Sequence, residues 1–146
     1  MTPIPYVPEL HFEQIKGWLQ LWNESMTQDA LPQTGYIIPG KAAGFLYRTD
    51  SSVALIENLV AAPGMSREER TGYVDAIVAA ICAEAARLGF KLLIGYTQLD
   101  AVVKRAERFG FTYVASNFHV VALVLDPATA GQTVEARQAK AGVSEG

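Results

Sequence analysis

Val53-Ala54-Leu55-Ile56-Glu57-Asn58-Leu59-Val60-Ala61-Ala62-Pro63-Gly64 is the stretch on which the fold turns. Val53, Leu55, Ile56, Leu59 and Val60 crowd it with β-branched and aliphatic side chains, so Val53–Ala62 reads as a strand. Pro63-Gly64 ends it. Ser66-Arg67-Glu68-Glu69 follows and fits a capping box, with Ser66 as N-cap and Glu69 three residues later. The helix it opens runs to about Leu88, because Val74, Ile77, Val78, Ile81, Ala85 and Leu88 form one apolar stripe. Gly89 is a natural stop. Lys91–Tyr96 then reads as a short, mostly apolar strand of the kind buried at the centre of a sheet. If the two strands are parallel neighbours, 53–96 is a right-handed crossover unit.

Outward toward the N-terminus, 9–23 reads as a helix. Ile15, Trp18, Leu19 and Trp22 fall on one face, with Leu10 about a turn earlier. Residues 29–35 are a loop. Gly35–Ile38 and Ala42–Arg48 read as strands joined by Pro39-Gly40, and Thr49-Asp50-Ser51-Ser52 is a second polar turn. This hairpin makes the sheet mixed. Outward toward the C-terminus, Thr97 and Asp100 repeat the capping spacing. The helix that follows ends at Phe109, stopped by Gly110. Phe111–Ala115 and His119–Leu125 read as two closing strands, joined around Ser116-Asn117. From Asp126 the composition shifts to Ala, Gly, Gln, Thr and charge. The chain therefore divides into one α/β domain over 1–125 and a mobile tail over 126–146.

Composition narrows the function. Half of the 146 residues are hydrophobic and the net charge is -3, so the class is globular. There is no Lys/Arg cluster, and nucleic-acid binding is not expected. Cys82 is the single cysteine, and His11 and His119 stand in no metal-ligand spacing, so no metal is expected. Neither a signal peptide nor an apolar run of about 18 residues is visible, which points to a cytoplasmic protein without a membrane span.

Over roughly 9–125 the order of elements resembles the GNAT family, the acyl-CoA-dependent N-acyltransferases. The most specific stretches are Ile56–Pro63, Lys91–Tyr96 and the ending Phe109-Gly110-Phe111. The resemblance implies an α/β, three-layer domain with a mixed central sheet. It implies that the strand resembling 53–62 ends in a bulge and splays from the strand resembling 91–96, with the acyl-pantetheine arm in the cleft. The phosphates would lie at the following helix N-terminus, where free amides and the helix dipole attract anions. It further implies acetyl-CoA as co-substrate, a small-molecule or protein amine as acceptor, and direct attack in a ternary complex.

By the same resemblance, Leu59, Val60 and Ala62 line the arm, and the Val60 and Ala62 N–H groups polarise the thioester carbonyl. Arg67, Arg70, Thr71 and Gly72 form the phosphate loop. The family pattern is Arg or Gln, two residues, Gly, one residue, Gly or Ala. Counted from Arg67, Arg70 stands in place of the first Gly and Gly72 matches the second. Glu57 stands where many members carry the carboxylate that takes the amine proton. The Tyr that protonates the departing thiolate, four residues before the Gly of Gly-Phe, is replaced by Ala106. Tyr96 is the substitute candidate and Tyr113 a further one.

Each of these residues has a plain structural reading beside the functional one. Glu57 fits a solvent-facing strand position. Ser66–Glu69 fits a simple capped helix start. Tyr96 and Tyr113 fit packed aromatics, Cys82 a small buried hydrophobe and His119 a structural position. Trp18 and Trp22 fit either the core or a lid over the acceptor. Two alternatives to the transferase stay open. One is a non-catalytic GNAT-like module binding a macromolecular partner, of a type that resembles some bacteriophage-encoded proteins. The other is an unrelated α/β domain sharing only the element order.

Overall fold

The computed structural model describes residues 1–125; the expected tail over 126–146 lies outside the described residues. Nine elements follow one another. They are β1 (Ile4–Pro5), α1 (Pro8–Gln20), a 3-10 turn (Gln28–Ala30), β2 (Gly35–Ile38), β3 (Ala42–Tyr47), β4 (Val53–Ala61), α2 (Arg67–Arg87), β5 (Leu92–Gly95) and α3 (Asp100–Arg108). The strands form one sheet in the order β1-β2-β3-β4-β5. The first three pairings are antiparallel and β4–β5 is parallel, so the sheet is mixed, as the sequence predicts.

Two apolar layers flank the sheet. Phe12, Ile15, Trp18 and Leu19 of α1 pack on Ile37, Phe45 and Val60. Val74, Ile77, Val78, Ile81 and Ala85 of α2, the stripe read from the sequence, pack on Ile38, Leu46, Ala54 and Ile56 on the other face. Gly44 sets how closely α2 approaches. A Cβ built there would lie 2.6 Å from Leu59 Cδ2 and 2.8 Å from Ile77 Cγ2, so a strand residue that is usually costly is here required.

Helix α3 has no fully buried residue. It is tied to α2 by Asp75: Arg108 donates Nη1 to Oδ2 at 3.1 Å and Nη2 to Oδ1 at 3.2 Å, and Arg105 Nε lies 2.9 Å from Oδ1. Phe109 and Phe111 just beyond it pack against the α2 cluster.

Several expectations are corrected. Helix α1 stops at Gln20 rather than residue 23. Asn23 takes a left-handed φ of 56° and the Glu24 N–H closes back on the Leu19 carbonyl at 3.1 Å, which ends the helix before Trp22. Trp18 is buried, while Trp22 and Leu10 are exposed. Thr97 does not cap α3; its Oγ1 accepts from the Leu99 N–H in a local turn. The two closing strands over Phe111–Ala115 and His119–Leu125 are absent, and Val114, Val121 and Leu123 are exposed. Alternating apolar residues suit a pleated surface but do not by themselves supply a pairing partner. Strand β1 escapes sequence reading because it is two residues long and includes Pro5.

Replacing Gly44 with Ala is expected to destabilise the chain by about 1–3 kcal/mol, because Leu59 and Ile77 occupy the space a methyl needs. Urea unfolding checks it, and an unchanged midpoint would show that α2 simply shifts.

Tyr6 gives a second test. Its ring packs edge-on to Phe45 at 4.9 Å, and its buried hydroxyl has no partner among the described residues. Burial, with Glu9 nearby, pushes its pKa up to about 12. The folded state thus holds the phenol proton more tightly than the unfolded chain. This contribution is intact below pH 10, the ordinary phenol value, and is lost as pH rises toward 12. Tyr6→Phe is expected to be neutral or stabilising at pH 7 and to flatten the alkaline loss of stability; an equally steep loss would show that Tyr6 does not drive it.

Candidate active site

The site is built by one irregularity in β4. Ala43 pairs with Val60 but Phe45 pairs with Glu57, so Asn58 and Leu59 together oppose the single Gly44. This is a β-bulge, and Asn58 holds its left-handed conformation at φ 58°. Asn is one of the few side-chain-bearing residues that enter this region readily. The extra residue exchanges the two faces of the strand. Before it, Ala54 and Ile56 join the α2 layer; after it, Val60 and Ala62 join the α1 layer while Leu59 and Ala61 pack toward α2. Glu57, opposite Phe45, therefore stands on the α1 face.

The parallel ladder ends beside the bulge. Pairing with β5 runs from Val53↔Leu92 to Ile56↔Gly95, and residues 57–61 of β4 continue without a strand on that side among the described residues. The pairing stops at the carboxyl ends of a parallel pair, the usual position of a ligand crevice in such sheets. Glu57, the next residue of β4, is half-buried. Tyr96, one residue past β5, is 52% exposed and packs edge-on to Phe118 with centroids 5.5 Å apart. Tyr113 is also exposed.

Ladder alternation corrects the expected carbonyl donors. The Ala62 N–H donates to the Lys41 carbonyl at 2.8 Å, so it is turned toward β3 and away from the cleft. Val60, two residues earlier and opposite Ala43, has the same orientation. The outward backbone group in this register belongs to Ala61. Val60 and Ala62 contribute apolar side chains to the α1 layer instead.

Past the cleft, Ala62-Pro63-Gly64-Met65 leads into α2. Its start is the capping box read from the sequence. Ser66 Oγ accepts from the Glu69 N–H at 3.1 Å and Glu69 Oε1 accepts from the Ser66 N–H at 3.3 Å. The Arg67 and Glu68 amides keep no partner among the described residues. Arg67 and Arg70 are exposed and Thr71 is half-buried; a Cβ at Gly72 would meet nothing within 4 Å, so packing does not require that glycine. Lys41, which the sequence did not single out, lies with Nζ 5.5 Å from the Tyr73 ring centroid and adds a third cation beside the first turns of α2. Glu68 and Glu69 oppose these cations.

On the α1 side, a groove of about 450 Å³ opens between Phe12, Lys16 and Gln20 of α1 and Ser25, Met26, Thr27 and Gln28. Cys82 is partly buried against the α2 cluster, where burial pushes its thiol pKa up, so it is not an activated nucleophile. Among the described residues no group of three His, Cys, Asp or Glu is placed to hold a metal, and no helix is long and apolar enough to cross a membrane.

Asn58→Ala is expected to cost about 1–2 kcal/mol, because a left-handed backbone penalises a Cβ that has no local hydrogen bond to offer. Asn58→Gly should recover most of the backbone share. Equal losses in thermal unfolding would show that the Asn58 side chain, and not its φ, carries the stability.

No family model and no curated protein matches the sequence. Solved structures do match the fold. A putative acetyltransferase from Agrobacterium tumefaciens aligns over 84% of this chain and 100% of its own, with a TM-score of 0.64 and 18% identity. An acetyltransferase from Trypanosoma brucei aligns over 82% and 98%, with a TM-score of 0.58 and 13% identity. A probable acetyltransferase aligns over 86% and 99%, with a TM-score of 0.57 and 11% identity. The chain thus shares its α/β fold with these acetyltransferase structures.

Proposed function

We propose that the chain is an acyl-CoA-dependent N-acyltransferase, acting by direct attack of an amine on acetyl-CoA in a ternary complex. The observation that carries this reading is the end of the β4–β5 ladder at Ile56↔Gly95, immediately before Glu57 and the bulge. The fold shared with the acetyltransferase structures supports it.

In this reading Leu59 and the backbone of Ala61 border the pantetheine arm, with Val60 and Ala62 packed behind them. The Ala61 N–H is the candidate donor to the thioester carbonyl. Arg67 and Arg70, with the Arg67 and Glu68 amides, face the phosphates, and Thr71 and Gly72 complete the loop. Lys41 reinforces that end. Glu57 takes the amine proton, directly or through water, as nitrogen attacks the carbonyl carbon. The sulfur leaves as a thiolate and takes a proton from a phenol of the cleft, for which Tyr96 is the sequence's candidate. The groove beside α1 lies on the same side of the sheet as Glu57. Its lining carries Lys16 and neutral polar groups and no carboxylate, which suits a neutral or acidic acceptor better than a polyamine.

A second reading has one observation in its favour. The capping box already satisfies two of the amides at the α2 tip and sets Glu68 and Glu69 beside it. That favours a GNAT-like module that binds a macromolecular partner without cofactor. A bacteriophage origin gains no support from the comparisons.

Cofactor binding separates the two. Acetyl-CoA at about 100 times its Kd should stabilise the chain by about 2.7 kcal/mol in thermal unfolding. No shift at millimolar acetyl-CoA would favour the binding module. Where binding is seen, Glu57→Gln is expected to lower turnover about 100-fold or more across a panel of amines while leaving acetyl-CoA affinity nearly unchanged. Undiminished turnover removes Glu57 from the mechanism.

A further inference from the structure

The acyltransfer chemistry requires a proton for the departing sulfur, and Ala106 cannot supply one. Tyr96 is half-exposed, lies beyond the end of β5 and has its ring against Phe118. A second phenol is better held. Tyr47 ends β3 opposite Leu55, packs against the α1-side core, and reaches along the sheet to Asn58, whose Nδ2 donates to the Tyr47 hydroxyl oxygen. Asn58 is 8% exposed and is the left-handed residue of the bulge, at the point where β4 and β5 separate.

We infer that Tyr47, oriented by the buried Asn58 amide at the bulge, is the proton donor to the leaving thiolate; the inference rests on the acyltransfer reading above. Tyr47 and Glu57 share the α1 face and are diagonal neighbours across β3 and β4, a relation that places side chains about 7–8 Å apart in a ladder. A carboxylate and a phenol thus lie close together beside the bulge. With its oxygen accepting from Asn58, the phenol directs its own hydrogen to another group. The same N–H stabilises the phenolate left behind.

The step balances. The amine nitrogen bonds to the carbonyl carbon, the carbon–sulfur bond breaks, and the sulfur keeps the electron pair. Tyr47 gives its proton to that sulfur while Glu57 takes one from the nitrogen. Exchange with water returns Glu57 and Tyr47 to their starting states. By sequence alone Tyr47 reads as a packed aromatic, because it ends a strand whose apolar run accounts for it. The Asn58 bond marks it out.

The test uses CoA and its desulfo analogue, in which hydrogen replaces the thiol, with the full chain at about pH 9.5, above the ordinary thiol range. Tyr47→Phe is expected to weaken CoA about tenfold or more, as for a hydrogen bond to a charged group, while desulfo-CoA changes by less than about twofold. Asn58→Gly keeps the left-handed backbone and removes the amide, and should give the same selective loss; it decides the matter if Tyr47→Phe does not fold. Equal effects on both ligands, or a selective loss in Tyr96→Phe instead, overturn the inference while leaving the acyltransfer reading standing. Failure of the unaltered chain to bind either ligand overturns that reading and this inference with it.

Discussion

Strand β4 places two residues, Asn58 and Leu59, opposite the single Gly44, and this mismatch governs the rest of the molecule. It lets one strand serve both layers, giving Ile56 to the α2 side and Val60 to the α1 side, which an unbroken two-residue period cannot do. The side chain of Leu59 then needs room over β3, and Gly44 provides it by having none of its own. The same kink lies where β5 stops following β4. Packing, register and the candidate cleft are therefore one constraint, and a change that repaired the ladder would close the slot.

The crossover unit was legible because each part carries its own local signal. Ser66 and Glu69 announce the helix start, the stripe from Val74 to Ala85 its buried face, and the aliphatic run before Pro63 the strand. The bulge was not legible as to place. Burial alternates without interruption from Val53 to Ala61, and the sole residue-level trace is an Asn at 58, a type common in many settings. The site inherited this error. Val60 and Ala62 were assigned amides facing the cleft, while the register turns them toward β3. Glu57 follows the last β4 residue paired with β5, and Tyr96 follows the end of β5. Lys41 and Tyr47 carried no motif, since their significance comes from partners brought near only by folding, Tyr73 and Asn58. Residues 111–125 failed in the opposite way: their pattern suits a sheet, but strand formation depends on a neighbour that no pattern encodes.

The tip of α2 balances two uses of the same atoms. A capped helix start satisfies its amides internally, and an anion site leaves them for a ligand. Here the division is by position: Ser66 and Glu69 close two groups, and those of Arg67 and Glu68 remain. The carboxylates at 68 and 69 favour the helix dipole and disfavour phosphate, while Arg67, Arg70 and Lys41 act in the other direction.

The attachment of α3 differs in kind from everything before it. The sheet and α2 are joined by hydrocarbon, which dissolved ions scarcely affect, whereas α3 is held by the packing of Phe109 and Phe111 together with a carboxylate, Asp75, shared by two guanidinium groups. Partly exposed pairs of this sort are screened over about 8–10 Å at physiological electrolyte levels and contribute under about 1 kcal/mol each. Helix α3 is thus held in part by a contact that weakens as ionic strength rises, and backbone exchange with solvent would register that there before the strands feel it.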